Sequence, residues 1–222
     1  MKFLRTLLAV VAATVALLAL PFLLPAGRPP VGEQGLPWQV EPRADGSSQV
    51  FGLTLGSSTL ADARARLGSD LQLALVVAPG EAPSLEAFHD RVEAGFVAGR
   101  MVLTADVPTA RLEALLNRAK KAEFMESTTR RVTLADDDIP AAMAAPIAAI
   151  AFIPNVQLDE QMVLQRFGSP AQRLRASPTV EHFLYPERGL DVVLDSKGRE
   201  VLQYVAPRHF ERLRSPLGKP AS

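Results

Sequence analysis

The apolar positions of this chain form one unbroken run followed by a series of short periodic segments. The run, residues 6–27, carries no charge and is preceded by Lys2 and Arg5. It is long enough to cross a bilayer, which takes roughly 20 apolar residues. Positive charge ahead of such a run favours an N-terminus kept in the cytoplasm with the remainder exported. Residues 1–27 are therefore expected to be a signal anchor, holding the chain in the inner membrane as a single-pass protein with its C-terminal domain in the periplasm. The alternative is a cleaved signal peptide and secretion to the periplasm, since Thr6–Leu20 would serve as an apolar core cut short by Pro21. The cleavage chemistry argues against it: Leu24-Pro25-Ala26 places a bulky Leu where a small residue is wanted.

Residues 28–49 break the pattern with Pro29, Pro30, Pro37 and Pro42 and with Gly32, Gly35 and Gly46. Proline restricts the backbone and removes a donor, so this stretch is expected to be a linker. Trp38 within it is expected to be an interfacial residue or a ring folded onto the domain.

Periodicity resumes near Val50. In the segment 50–135 Thr59 and Asp62 have the spacing of a capping box, and Leu60, Ala63 and Leu67 recur at helical intervals before Gly68. Leu71–Ala78, Ser84–Val92 and Arg100–Val107 are expected to be strands, and Arg130–Leu134 another. Between them Leu112, Leu115, Leu116 and Ala119 mark a helix over 108–119, with Asp106 placed to cap it. In the segment 136–207 the charge-free stretch Ile139–Pro154 is too short and too proline-broken to span a membrane, so Ile147–Ile153 is expected to be a buried strand. A short helix over 157–168 then leads to strands at 173–176, 180–185, 190–194 and 199–205, with turn chemistry at Asp195-Ser-Lys-Gly198. Residues 208–222 are expected to be a tail. The fold class that follows is α+β, with short helices packed on antiparallel sheet.

The two segments resemble each other. An offset of 100 lays Arg66-Leu-Gly-Ser69 on Arg166-Phe-Gly-Ser169, in each case a short helix, a glycine stop and a run of strands. This raises a duplication of one αβ unit, although separate origins would give the same order of elements.

Composition narrows the function classes. Lysine plus arginine equals aspartate plus glutamate at 24 each. Setting aside Lys2, Arg5 and Arg28 leaves 21 basic against 24 acidic residues, a net of −3 for the exported part. No broad basic field is present to bind nucleic acid. The chain has no cysteine, which removes disulfides, thiolate metal sites, thiol nucleophiles and a lipidated anchor.

Candidate chemistry is sparse. His89, His182 and His209 are not spaced as zinc ligands, and each is expected to be a surface or packing residue even where Glu86, Asp90 or Glu181 lies close in sequence. Asp136-Asp-Asp138 lacks the alternating oxygens of a calcium loop and is expected to cap the short helical segment after it. Gly95-Phe-Val-Ala-Gly99 has neither P-loop nor dinucleotide spacing. Arg111, Arg118, Lys120, Lys121, Arg130 and Arg131 could meet lipid headgroups or an anionic polymer, but a solvated face with Glu113, Glu123 and Glu126 as neighbours is favoured. Asp191 and Glu187 are the carboxylates a hydrolase would use, yet no spacing supports one. No catalytic, cofactor or metal site is expected.

Leu164-Gln-Arg-Phe-Gly-Ser-Pro170, Phe183-Leu-Tyr-Pro186, Gly189-Leu-Asp-Val-Val-Leu-Asp195 and Gly198-Arg-Glu-Val201 resemble the small envelope modules of the SmpA/OmlA type, akin to the repeats of β-lactamase-inhibitor proteins. The resemblance covers residues 156–205. It implies a helix ending in Gly-x-Pro before a meander of strands, and an assembly or interaction role rather than catalysis. The absence of a lipidated cysteine separates this chain from the outer-membrane lipoprotein members. The expected function is a membrane-tethered, non-catalytic interaction or scaffold protein of the bacterial envelope. It would be held through residues 6–27 and have an envelope protein as partner. The alternative is a periplasmic small-molecule or lipid-binding module with Ala141–Ile153 lining an apolar cavity.

Overall fold

The computed structural model describes residues 35–125 and 128–218, and the apolar run 6–27 lies outside them. Among the described residues no helix is long and apolar enough to cross a membrane.

The breaker-rich segment is folded from Gly35 onward. β1 (Glu41–Pro42), β2 (Ser48–Val50) and β3 (Leu53–Thr54) make a small three-stranded sheet. Leu36, Ser47 and Ser48 are buried, so residues 35–49 are packed onto the folded part rather than forming a spacer, although 41–45 remain exposed. The reason lies in the turn chemistry: Phe51 and Gly52, both at positive φ, form the two-residue loop that twisted hairpins favour. That loop drives the Phe51 ring inward, 5.3 Å from Phe152 and 5.5 Å from Tyr204. The Tyr204 hydroxyl donates to the Pro37 carbonyl at 2.8 Å, closing the segment over the core.

The helix α1 (Leu60–Leu67) has the expected capping box: Thr59 Oγ1 accepts from the Asp62 N–H, and the Asp62 carboxylate accepts from the Thr59 N–H. A meander follows, β4 (Gln72–Val77), β5 (Ser84–Ala94) and β6 (Val97–Ala105). Next come α2 (Thr109–Asn117), the hairpin β7 (Lys121–Phe124) and β8 (Arg130–Thr133), α3 (Ile139–Met143) and β9 (Ile147–Pro154). The last part is α4 (Glu160–Phe167), β10 (Gln172–Arg175), β11 (Val180–Tyr185), β12 (Leu190–Asp195), β13 (Val201–Val205) and α5 (Glu211–Arg214).

Strands β4 to β13 form one antiparallel sheet in the order β10-β11-β12-β13-β9-β6-β5-β4-β8-β7. The fold is thus α+β, a large antiparallel sheet with a few short helices. Each long strand alternates as a half-buried strand must: Leu85 and Ala87, Met101 and Leu103, Ile150 and Phe152, and Leu202 and Tyr204 point to one face. Leu60 and Ala63 of α1, Val163 and Phe167 of α4, and Val50, Leu53 and Leu55 of the small sheet complete that core.

Part of the opposite face is covered from the C-terminus. Phe210 is buried against Leu184 and Val205, with Leu213 and Leu217 alongside. Residues 208–217 are therefore packed structure, not a tail. Arg208 ties them to the first hairpin through its backbone N–H to the Gly46 carbonyl and its guanidinium to the Asp45 carbonyl.

Two capping expectations need correction. The N-cap of α2 is Pro108, which makes no side-chain cap; its carbonyl accepts from Arg111 and Leu112 while Asp106 is tied by its backbone to Pro146. Residues 136–138 form a 3-10 turn, and the Asp138 side chain does not cap α3 because both its oxygens engage Arg118.

Candidate functional site: an apolar groove between α4 and the β5–β6 turn

Asp159 is the N-cap of α4, its Oδ1 accepting from the Met162 N–H at 2.7 Å, and Gly168 at positive φ ends the helix. Within the helix Val163 and Phe167 are buried, while Met162, Gln165 and Arg166 line a groove toward β6. Opposite stands the turn between β5 and β6. Ala94 pairs with Val97, so the loop is only Gly95–Phe96, with Gly at the first position as a tight hairpin turn requires. A turn this short leaves the Phe96 ring nowhere inside to go. It leans on Trp38 at 5.6 Å, and the Arg166 guanidinium sits over the Trp38 ring at 4.6 Å, within cation–π range.

The groove between these parts holds about 230 Å³, with Phe152 and Leu202 on its walls and Leu158 toward the loop. Its rim is made of large apolar side chains in solvent: Phe96 is 65% exposed, Val156 51% and Met162 45%. Arg166 makes no ion pair among the described residues, so the groove pairs an apolar surface with one unneutralised cation.

The charge-free stretch divides. Ala141, Ala142, Ala144 and Ala145 border an open depression of about 370 Å³ shared with Asp106 and Arg111, while Phe152 and Pro154 reach the groove.

The histidines and carboxylates fall elsewhere. His89 is buried; its Nδ1 accepts from the Arg91 N–H at 3.3 Å, which leaves Nε2 to donate to the Leu67 carbonyl at 3.2 Å and fasten the end of α1. His182 pairs with buried Asp191 at 2.7 Å across β11 and β12, a contact invisible to nearest-neighbour reasoning because the partners are nine residues apart. Glu181 points away from it, to Arg173 and Arg175. Glu187 is exposed on the turn 186–188. The backbone of His209 caps a turn onto the Ala206 carbonyl.

Arg118, Lys120 and Lys121 of the basic cluster meet carboxylates. Arg118 meets Asp138 at 2.7 Å, Lys120 meets Asp136 and Lys121 meets Glu123. These contacts raise the Arg118 and Lys121 pKa values above the ordinary range and lower those of Asp138 and Glu123, in each case mainly by side-chain hydrogen bonding. Arg131 donates to Gln72 and lies over Phe88. The aspartate run thus pairs with Arg118 and Lys120, partners 20 and 16 residues away in sequence.

Sequence reasoning did not single out Phe96, Val156, Met162 or Arg166. One signal was present: a phenylalanine immediately after the turn glycine, where a polar residue is usual.

No protein-family model, no curated protein and no solved structure matches the chain.

Proposed function

We propose that this chain is a membrane-tethered, non-catalytic interaction module of the bacterial envelope, anchored through residues 6–27, with its folded part in the periplasm. Residues 60–105 with β9, and residues 160–205, are two copies of one αβ unit. Supporting the duplication, Thr59 and Asp159 cap eight-residue helices that end on Gly68 and Gly168, and Gln72 and Gln172 open the next strands. In the sheet β4-β5-β6-β9 and β10-β11-β12-β13 run outward from the adjoining β9 and β13. The resemblance of 156–205 to SmpA/OmlA-type modules is in keeping with this reading.

The observation that carries the interaction role is the groove's exposed apolar rim of Phe96, Val156 and Met162. Its volume, about 230 Å³, lies below the roughly 300–1,000 Å³ of ordinary small-molecule pockets. A ligand cavity hides its apolar lining; a docking site presents it. The unpaired Arg166 beside Trp38 specifies the occupant: an envelope-protein segment bearing an apolar anchor next to a carboxylate.

The decisive experiment places a photocrosslinking residue at Phe96 of the full-length chain in native membranes. The expected result is one discrete adduct with an envelope protein, lost in Met162→Lys and absent when the crosslinker replaces the exposed Glu113. Adducts at Phe96 that survive Met162→Lys, or equal capture from Glu113, overturn the docking role. Met162→Lys, at a position 45% exposed, is expected to change stability by less than about 0.5 kcal/mol, as surface substitutions do, so loss of the adduct would not reflect unfolding. External protease acting on spheroplasts tests the location: digestion of the folded part is expected, and an intact, protease-protected soluble chain overturns it.

A further inference from the structure

We infer that the depression between the loop before α4, the β10–β11 turn and the β12–β13 turn is a binding site for a primary alkylammonium group. It holds about 320 Å³ and has four carboxylates on its walls, Asp159, Glu181, Asp195 and Glu200. Three of them are already engaged. Asp159 caps α4, Glu181 pairs with Arg175 at 3.3 Å, and Asp195 Oδ1 accepts from the Lys197 N–H at 3.0 Å.

Glu200 is different. It is 6% exposed, it faces this depression, and its carboxylate makes no hydrogen bond or ion pair among the described residues. The Glu200 carboxylate opens onto the depression, and a cation entering there meets an acceptor that no other described group holds. Arg175, the arginine on the same walls, is committed to Glu181 and does not supply it.

The walls select among cations. Among the described residues no three histidine or carboxylate side chains converge as metal ligands, and calcium would need six to eight oxygens. An ammonium needs three acceptors, and the walls carry the Glu200 carboxylate together with the hydroxyl-bearing Ser196 and Thr179. Leu158 and Leu194 offer an apolar path for a methylene stem, the way lysine buries its chain while its head meets polar groups. A lysine side chain of a protein and a free diamine present the same chemistry.

The test titrates the full-length chain in detergent with cadaverine and, separately, with a capped peptide carrying one lysine, reading calorimetric affinity and the shift in melting temperature. Wild type is expected to bind one probe or both and to melt higher with it. Glu200→Gln is expected to lose at least tenfold in affinity and to show no shift, and Glu113→Gln to behave as wild type. Without probe, Glu200→Gln is expected to melt close to wild type, because the carboxylate makes no hydrogen bond or ion pair among the described residues. Binding of the peptide alone assigns the site to a protein lysine, and binding of cadaverine alone to a free diamine. Equal shifts in wild type and Glu200→Gln, no shift in either, or a Glu200-dependent response to calcium chloride without one to amines overturns the inference. The site shares Leu158 with the groove but not Phe96, so Phe96→Asp is expected to leave amine binding unchanged and the two proposals fail independently.

Discussion

Two residues concentrate the physics of this molecule. Phe51 adopts φ +54°, a conformation that non-glycine residues rarely occupy, and it is held there by burial between Phe152 and Tyr204. Phe51→Ala keeps the strained backbone and loses the ring, so it is expected to cost about 3–5 kcal/mol, measured by urea unfolding. The second is Glu86, half-buried on the far face of the sheet. Burial raises its pKa above the ordinary 4.5, opposed by the hydrogen bond from the Ser84 hydroxyl at 2.7 Å. A carboxyl whose pKa rises on folding favours the native state when protonated. Its stabilising contribution is full below pH 4.5 and is lost as pH rises through the folded value. Glu86→Gln retains an acceptor for Ser84 and cannot ionise. The variant is expected to gain stability over wild type as pH rises from 4.5 toward 7, and equal pH profiles from chemical denaturation would refute the assignment.

At the scale of elements, the two capped helices are the clearest case of local chemistry deciding structure. Thr59→Ala and Asp159→Ala each remove one cap and are each expected to cost about 1 kcal/mol, read as faster amide exchange in the first turn of α1 or α4. Asp62 gives the α1 cap a pH dependence. Hydrogen bonds from the Thr59 backbone and hydroxyl hold its carboxyl below the ordinary 3.8. A lowered carboxylate pKa stabilises above the unfolded value and loses that contribution as pH falls through the folded one. Acid is therefore expected to loosen α1 in wild type, while Asp62→Asn shows no such pH dependence.

These elements were legible because their signals lie within four residues: the Thr59–Asp62 spacing, the Gly68 and Gly168 stops, and the alternation along β5 and β6. The failures share the opposite property. Asp106 was assigned to α2 because it precedes the helix, but Pro108 already sets the first turn. Asp138 was assigned to α3, but Arg118, twenty residues away, takes both oxygens. When a charged side chain has a local and a distant partner, the three-dimensional arrangement chooses.

Across the whole molecule, the core is closed by chain that looked dispensable. Phe210 covers Leu184 and Val205 from a segment whose prolines and arginines suggested a tail. Phe210→Ala is expected to cost about 3–5 kcal/mol and to speed amide exchange around Leu184 and Val205. A loss under 1 kcal/mol would mean the C-terminal segment is ornament. Residues 35–49 behave alike at the other end, since Leu36, Ser47 and Ser48 are buried despite the prolines around them. Proline and glycine bar regular structure, yet they do not prevent a chain from lying on a core and burying what lies between them.

From its sequence alone this protein already had its α+β class, its helix limits, most of its strands and the charge balance that argues against nucleic acid. Each of these follows from periodicity or composition, which are properties of the chain itself. Only the tertiary structure decided that ten strands share one sheet, that Phe96 and Trp38 meet beside Arg166, that His182 finds Asp191, and that Glu200 lines a depression with no partner among the described residues. Those contacts join residues far apart in sequence, and the free energy of burial that selects them belongs to surfaces which exist only once the strands have paired.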